Sequence, residues 1–136
     1  MSSPKHSWLT LFILASAAVS SQLTPPAAHA ELHNITYIAQ ADGVAPGAQV
    51  TFLIHDNETG TATLGAIPGT PFEAHTVLTD PDKAGMQVSI PWPYSATVRC
   101  EIDVDDAVAT QVDRFVKPGS NDPDSGVLAC GAPLPT

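Results

Sequence analysis

Beyond residue 31, apolar side chains recur at every second position in short runs, and turn-forming residues break those runs about every ten residues. Met86, Val88 and Ile90 share one parity, and so do Val98, Cys100, Ile102 and Val104. Over Gln49–Asp56 the alternation puts Val50, Phe52 and Ile54 on one face and Thr51, Leu53 and His55 on the other. A period of two is the signature of a half-buried β-strand, whose successive side chains point to opposite faces. No window of twelve residues in this part carries a strong helical period. Strands are therefore predicted over residues 33–40, 49–56, 61–67, 72–78, 86–90, 96–104, 107–116 and 126–130. Between them lie Ala41-Asp42-Gly43, Asp56-Asn57-Glu58-Thr59-Gly60, Pro68-Gly69, Asp80-Pro81-Asp82 and the loop 118–125, rich in residues that favour turns. Seven or eight short strands with such punctuation specify a small antiparallel sandwich or barrel. There is no internal repeat, and residues 131–136 are expected to fray.

The first thirty residues have a different character. Lys5 and His6 open a short polar segment, an apolar run from Trp8 to Val19 follows, and Pro25-Pro26 then interrupts it. Ala28-His29-Ala30 fits the small-x-small pattern of signal-peptidase substrates, which places a cut before Glu31. The run is about twelve residues, short of the roughly twenty needed to span a bilayer. A secretory leader over residues 1–30 is expected, with one domain over 31–136 and no permanent membrane span. No cysteine stands at the cut, so a lipid anchor on the new N-terminus is not expected.

After Glu31 the chain has fourteen carboxylates against Lys83, Arg99, Arg114 and Lys117, a formal charge of −10. Nucleic acids and anionic membranes call for clustered Lys and Arg, so this balance argues against both as partners. A domain of about 100 residues buries only about two-thirds of its extended surface, and a covalent clip would add to a thin stability margin. Cys100 and Cys130 are the only cysteines, and an exported chain meets an oxidising compartment. A disulfide between them is expected to stabilise the fold by roughly 3–4 kcal/mol through loop closure. The alternative, a thiol nucleophile, would need a histidine base for which the neighbouring sequence gives no sign.

One hairpin can be given a register. A three-residue loop Asp105-Asp106-Ala107 sets Val104 opposite Val108, Ile102 opposite Thr110 and Cys100 opposite Val112, with Arg99 facing Asp113 on the outer side. A two-residue loop would turn Val108 and Val112 onto the acidic face, so burial favours the longer loop.

Sites for chemistry are scarce. Glu101, Asp103 and Asp105 alternate along one strand, which reads as its solvated side and is too linear for the wrapped cage calcium prefers. Asn121-Asp122-Pro123-Asp124-Ser125-Gly126 lacks the regular later ligands of a calcium loop, with Pro133 where a glutamate would stand, and reads as a turn. His33, His55 and His75 lack the close spacing of zinc ligands, so no metal or other cofactor is expected. There is no nucleophile elbow, no placeable carboxylate pair for glycoside chemistry and no phosphate loop. Asn34-Ile35-Thr36 and Asn57-Glu58-Thr59 match the glycosylation triplet, which the bacterial character of the Ala-rich leader discounts.

Pro91-Trp92-Pro93-Tyr94 stands out among the aromatics. Proline donates no ladder hydrogen bond, so this segment belongs at an edge or in a crossover between sheets. Its rings either cap the core or form an exposed platform for an apolar or carbohydrate ligand or a partner protein.

Ser89-Ile90-Pro91-Trp92, Val98-Arg99-Cys100-Glu101-Ile102-Asp103-Val104-Asp105-Asp106 and Gly126-Val127-Leu128-Ala129-Cys130, in that order, resemble the periplasmic domain of small mycobacterial membrane proteins of the MmpS type. Ile35-Thr36-Tyr37 is similar to that family's opening strand. The chain also resembles small exported mycobacterial proteins of unassigned activity. The resemblance implies an immunoglobulin-like sandwich with a disulfide between the matching cysteines. Anchored members assist RND-type transporters that export siderophores and envelope lipids. This chain departs in having a short, cleavable leader, and in having Asp105-Asp106 where the family has an Asp-Gly turn. Immunoglobulin domains place tryptophan between their cysteines, whereas Trp92 precedes both, so only the architecture carries over.

The expectation is a non-enzymatic, exported binding or interaction module of the cell envelope or extracellular space. Its contact surface would be Pro91, Trp92, Pro93 and Tyr94, and its partner an envelope protein or an apolar small molecule or lipid. The alternatives are an MmpS-like accessory for RND-type export and, more remotely, a small secreted hydrolase whose site converges only in the fold.

Overall fold

The computed structural model describes residues 31–65, 69–119 and 121–135, so the expected leader lies outside the described residues. Eight strands form, in chain order β1 (His33–Asp42), β2 (Gln49–His55), β3 (Glu58–Thr63), β4 (Phe72–Leu78), β5 (Gly85–Ser89), β6 (Ala96–Val104), β7 (Ala107–Val116) and β8 (Val127–Gly131). One sheet has the order β4-β1-β6-β7 and the other β3-β2-β5-β8, with every pairing antiparallel. This is the antiparallel sandwich that the alternation specifies. In this order β8 reaches its place beside β5 only after the β6–β7 hairpin has been laid in the opposite sheet.

The inward parity of each strand supplies one shared core. Ile35, Tyr37 and Ala39 from β1 and Val98, Cys100 and Ile102 from β6 meet Val50, Met86, Val88 and Leu128 from the facing sheet. The disulfide Cys100–Cys130 ties β6 to β8 across this core, with a Cα–Cα distance of 6.4 Å. Tyr37 adds a polar tie between the sheets, its buried hydroxyl donating to the Leu53 carbonyl at 2.7 Å. Removal from water pushes its pKa up to about 12.

Bulges correct two details of the pattern. In β2 the pairing with β3 is regular from Gln49 to Leu53 and shifts between Leu53 and His55; Leu53 is buried in the core and Phe52 is half-buried between Tyr37 and Phe72. The alternation had grouped Leu53 with Thr51 and His55, on the face opposite Val50. Pairing of β2 with β5 stops at Phe52, and beyond it the Leu53 and Ile54 carbonyls take the Tyr37 and Thr76 hydroxyls of the other sheet.

The second bulge overturns the predicted hairpin loop. Val104 pairs with Ala107 and Asp103 with Val108, leaving a two-residue loop in which Asp105 and Asp106 have φ of 50° and 68°. Two successive left-handed residues match the twist of the flanking strands, as in a type I′ turn. A register shift after Ile102 then restores Ile102 opposite Thr110, Cys100 opposite Val112 and Arg99 opposite Asp113. An extra residue in the strand separates the turn from the rest of the ladder, which the burial argument had assumed rigidly linked. Val108 is consequently 58% exposed, while Val112 still packs against the core.

β3 begins at Glu58, three residues earlier than predicted, because the β2–β3 connection is only Asp56 and Asn57, with Asp56 at φ 45°. Antiparallel alternation gathers the β1–β2, β3–β4, β5–β6 and β7–β8 connections at one end of the sandwich. The β2–β3, β4–β5 and β6–β7 connections lie at the other.

Candidate functional site

The Pro91–Tyr94 segment is the crossover from β5 in one sheet to β6 in the other. It closes as a turn, with the Tyr94 N–H donating to the Pro91 carbonyl at 2.9 Å around a cis Trp92–Pro93 peptide. Its roots are fixed. The Ile90 N–H donates to Gly126 at 2.8 Å, and Ile90 and Ala96 on either side are buried. The β1–β2 loop packs beside it: a Cβ on Gly47 would sit 3.5 Å from Pro91 Cγ, and Gly43, at φ 135°, passes against the Ser95 carbonyl.

Trp92 is 60% exposed and Tyr94 37% exposed on this base. They are displayed and do not cap the core. Their neighbours extend the apolar surface. Val44, in the adjacent loop, is 70% exposed, and Phe115, the penultimate residue of β7, is 60% exposed. Phe115 pairs with Thr97, one residue into β6. Sequence reasoning missed both, since Phe115 has the parity of Asp113 on an edge strand and Val44 lies in a loop.

The titratable groups are elsewhere. His33 Nδ1 meets Asp105 Oδ2 at 2.7 Å, and the other Asp105 oxygen accepts from the Asn34 N–H at 2.9 Å. The Asp105 N–H returns a bond to the Asn34 carbonyl at 2.8 Å, so the β6–β7 turn is clipped to the start of β1. The hydrogen bond with Asp105 raises the His33 pKa, and the same bond, with that from Asn34, lowers that of Asp105. Asp105 is thus a turn residue with partners, not the third member of a solvated stripe. Glu101 and Asp103 do share the outer face of β6. Glu101 is mostly covered, and its hydrogen bond with Asp103 raises its pKa. Arg99 pairs along its own strand with Glu101 at 3.7 Å.

The arrangement nearest to a catalytic one is Thr36–His75–Glu73. His75 Nδ1 lies 3.1 Å from Thr36 Oγ1 and its Nε2 lies 2.9 Å from Glu73 Oε1. Imidazole and carboxylate are both exposed on an open sheet face, where water screens them. Thr36 sits on a central strand paired on both sides, so its neighbouring backbone donors are engaged in ladders and do not point at a reacting oxygen. That geometry supplies a hydrogen-bonded chain on an open surface.

Among the described residues, no group of three or more His, Cys, Asp or Glu side chains is placed to hold a metal ion. The 121–126 segment is a turn, in which Ser125 Oγ donates to the Asp122 carbonyl at 2.7 Å and accepts from the Gly119 N–H at 2.6 Å. Among the described residues no helix is long and apolar enough to cross a membrane. Neither protein-family models nor curated protein sequences give a match to this chain.

Proposed function

We propose that this chain is an exported, non-enzymatic interaction module of the cell envelope or extracellular space, acting through the end of the sandwich that carries Trp92 and Tyr94. The observation that carries the reading is the 60% exposure of Trp92 on a turn whose flanks are buried and hydrogen-bonded. Burying an aromatic side chain of this size stabilises a fold by roughly 1.5–3 kcal/mol, so a small domain that leaves one in water has surface to offer a partner. The inter-sheet disulfide supports export, since such a bond persists in oxidising compartments.

A second reading, an accessory of RND-type export, draws support from the resemblance to the MmpS type, whose two matching cysteines are the pair joined here. It requires retention at the membrane. Recovery of protein beginning at Glu31 from the culture medium would exclude that retention and favour the released module.

Cross-linking capture from envelope extracts, run with the native chain and with Trp92→Ala, tests the contact surface. The expected result is loss of the captured partner while the melting transition is retained. If Trp92→Ala folds and captures the same set, the contact end has been misassigned.

A further inference from the structure

The exposed surface is polarised along the sandwich. Among the described residues the three exposed aromatics, Trp92, Tyr94 and Phe115, lie at the end where the β1–β2, β5–β6 and β7–β8 connections gather, together with Val44. Seven of the fourteen carboxylates lie at or beside the opposite end, among them Asp56, Asp80, Asp82, Asp105 and Asp106, against Lys83 as the one lysine or arginine there among the described residues. The exposed apolar side chains of that end, Leu32, Val77 and Val108, are aliphatic and stand among those acids. Among the described residues the aromatic end carries Arg114 and Lys117, two of the four basic residues after Glu31, against Asp42, Asp113 and Asp122. One end is aromatic and nearly neutral, and the other is strongly anionic.

We infer that the aromatic end docks into the headgroup layer of a zwitterionic lipid bilayer, Trp92 and Tyr94 leading, with the acidic end directed into water. This rests on the reading of that end as the contact surface and names its partner. Tryptophan and tyrosine combine an apolar ring with one polar group, and that combination places them at membrane–water interfaces. Lys117, two residues beyond Phe115, can lay its stem along the apolar surface and keep its charge among the headgroups.

The shape of the site favours a fluid partner over a folded one. The apolar side chains project from a turn, a loop and a strand end. Projecting tips insert into a deformable phase without a complementary groove.

Net charge does not oppose this docking. β1 spans ten residues, roughly 33 Å at 3.3 Å per residue, which separates the two ends. The Debye length at physiological ionic strength is about 8 Å, so the acids at the far end lie about four screening lengths from a membrane touched by Trp92. Most of the −10 formal charge after Glu31 is therefore out of reach of that membrane, and insertion at a neutral surface meets little repulsion.

The test places an indole at each end in turn. The full chain holds two tryptophans, so Trp8→Phe leaves Trp92 as the sole indole. Mixed with phosphatidylcholine vesicles brominated in the upper acyl chains, this protein is expected to show a blue-shifted emission and lose most of its intensity by contact quenching. In the companion chain, Trp8→Phe and Trp92→Phe are combined with Val108→Trp, which moves the indole to the acidic end. Its emission is expected to keep its wavelength and intensity, whatever else of the chain touches the vesicle. Tyr94→Ala in the Trp8→Phe background should weaken the Trp92 quenching, with the melting temperature confirming the fold. Unquenched Trp92, or equal quenching at both ends, overturns the inference. If Trp92 stays dark to the vesicles yet a captured protein depends on it, the lipid partner is wrong and the contact end stands. If neither vesicles nor proteins respond to Trp92, both readings fall.

Discussion

Asp105 and Asp106 are adjacent, share a left-handed backbone and should answer the same substitution with opposite signs. An L-residue in that conformation costs roughly 1–2 kcal/mol, with Asp at the low end because its short side chain bonds locally. Asp106→Gly removes this cost at φ 68° and takes a carboxylate away from its neighbour. Glycine returns about 0.5–1 kcal/mol through the greater freedom of the unfolded chain. The balance is a stabilisation of about 0.5 kcal/mol, which for a domain near 100 residues raises Tm by roughly 2–4 °C. Asp105→Gly relaxes its backbone in the same way at φ 50°, but deletes the carboxylate that accepts from the Asn34 N–H and from His33. That variant should melt below the native chain. Thermal and urea unfolding at pH 6, followed by circular dichroism, measure both. A less stable Asp106→Gly would refute the left-handed turn, and an Asp105→Gly as stable as Asp106→Gly would refute the clip.

Three further outcomes follow from the same coordinates. Replacing Cys100 and Cys130 together by alanine opens a loop with a sequence separation of 30, a loss of about 3.6 kcal/mol on the chain-entropy estimate. The urea midpoint should fall by about 1–4 M, and an unchanged midpoint would show that the bond is not formed in the protein. The His33–Asp105 pair sets a pH window. The folded His33 pKa lies above 6.5, so its contribution is complete below that value and is lost as pH rises through the folded value. The folded Asp105 pKa lies below 3.8, so its contribution is present above that value and is lost as pH falls through the folded one. Stability should therefore decline from pH 6 to pH 8, and His33→Gln should flatten that decline; an undiminished decline in the variant would assign it to another group. Finally, a methyl group on Gly85 would overlap the Ala132 backbone carbonyl, so Gly85→Ala should destabilise by about 1–3 kcal/mol or more in chemical unfolding.

The strands were legible because their signal is local. Phe72–Leu78, Ala96–Val104 and Ala107–Val116 are bounded in the structure as their alternation and flanking turns predict. The bulges were not legible, because an extra residue leaves each neighbouring dipeptide as acceptable as before. In β2 the switch at Leu53 is settled by hydroxyls from another sheet, Tyr37 and Thr76, and in β7 by the left-handed turn at Asp105 and Asp106. A periodicity reads parity within a run and carries no record of where the parity is reset. The His33–Asp105 clip was hidden for a related reason: its members are 72 residues apart and meet only once β1 and β6 are paired.

The aromatic end lies between these extremes. Proline on both sides of Trp92 marked a crossover, and the chain uses it as one. Whether the indole turned inward could not be read, since that depends on which loops fill the end of the sandwich. Gly43, Ser95 and Ala96 settle the matter by packing the β1–β2 loop onto the root of the turn. Pro91 then closes its turn with Tyr94 outside that layer. The core beneath is already filled by Ile90, Ala96 and Val116, so the indole has no inward route without displacing them. Its exposure is thus a consequence of complete packing under it. The same packing makes it a firm support, because a ring held on a rigid base loses little freedom when a partner covers it.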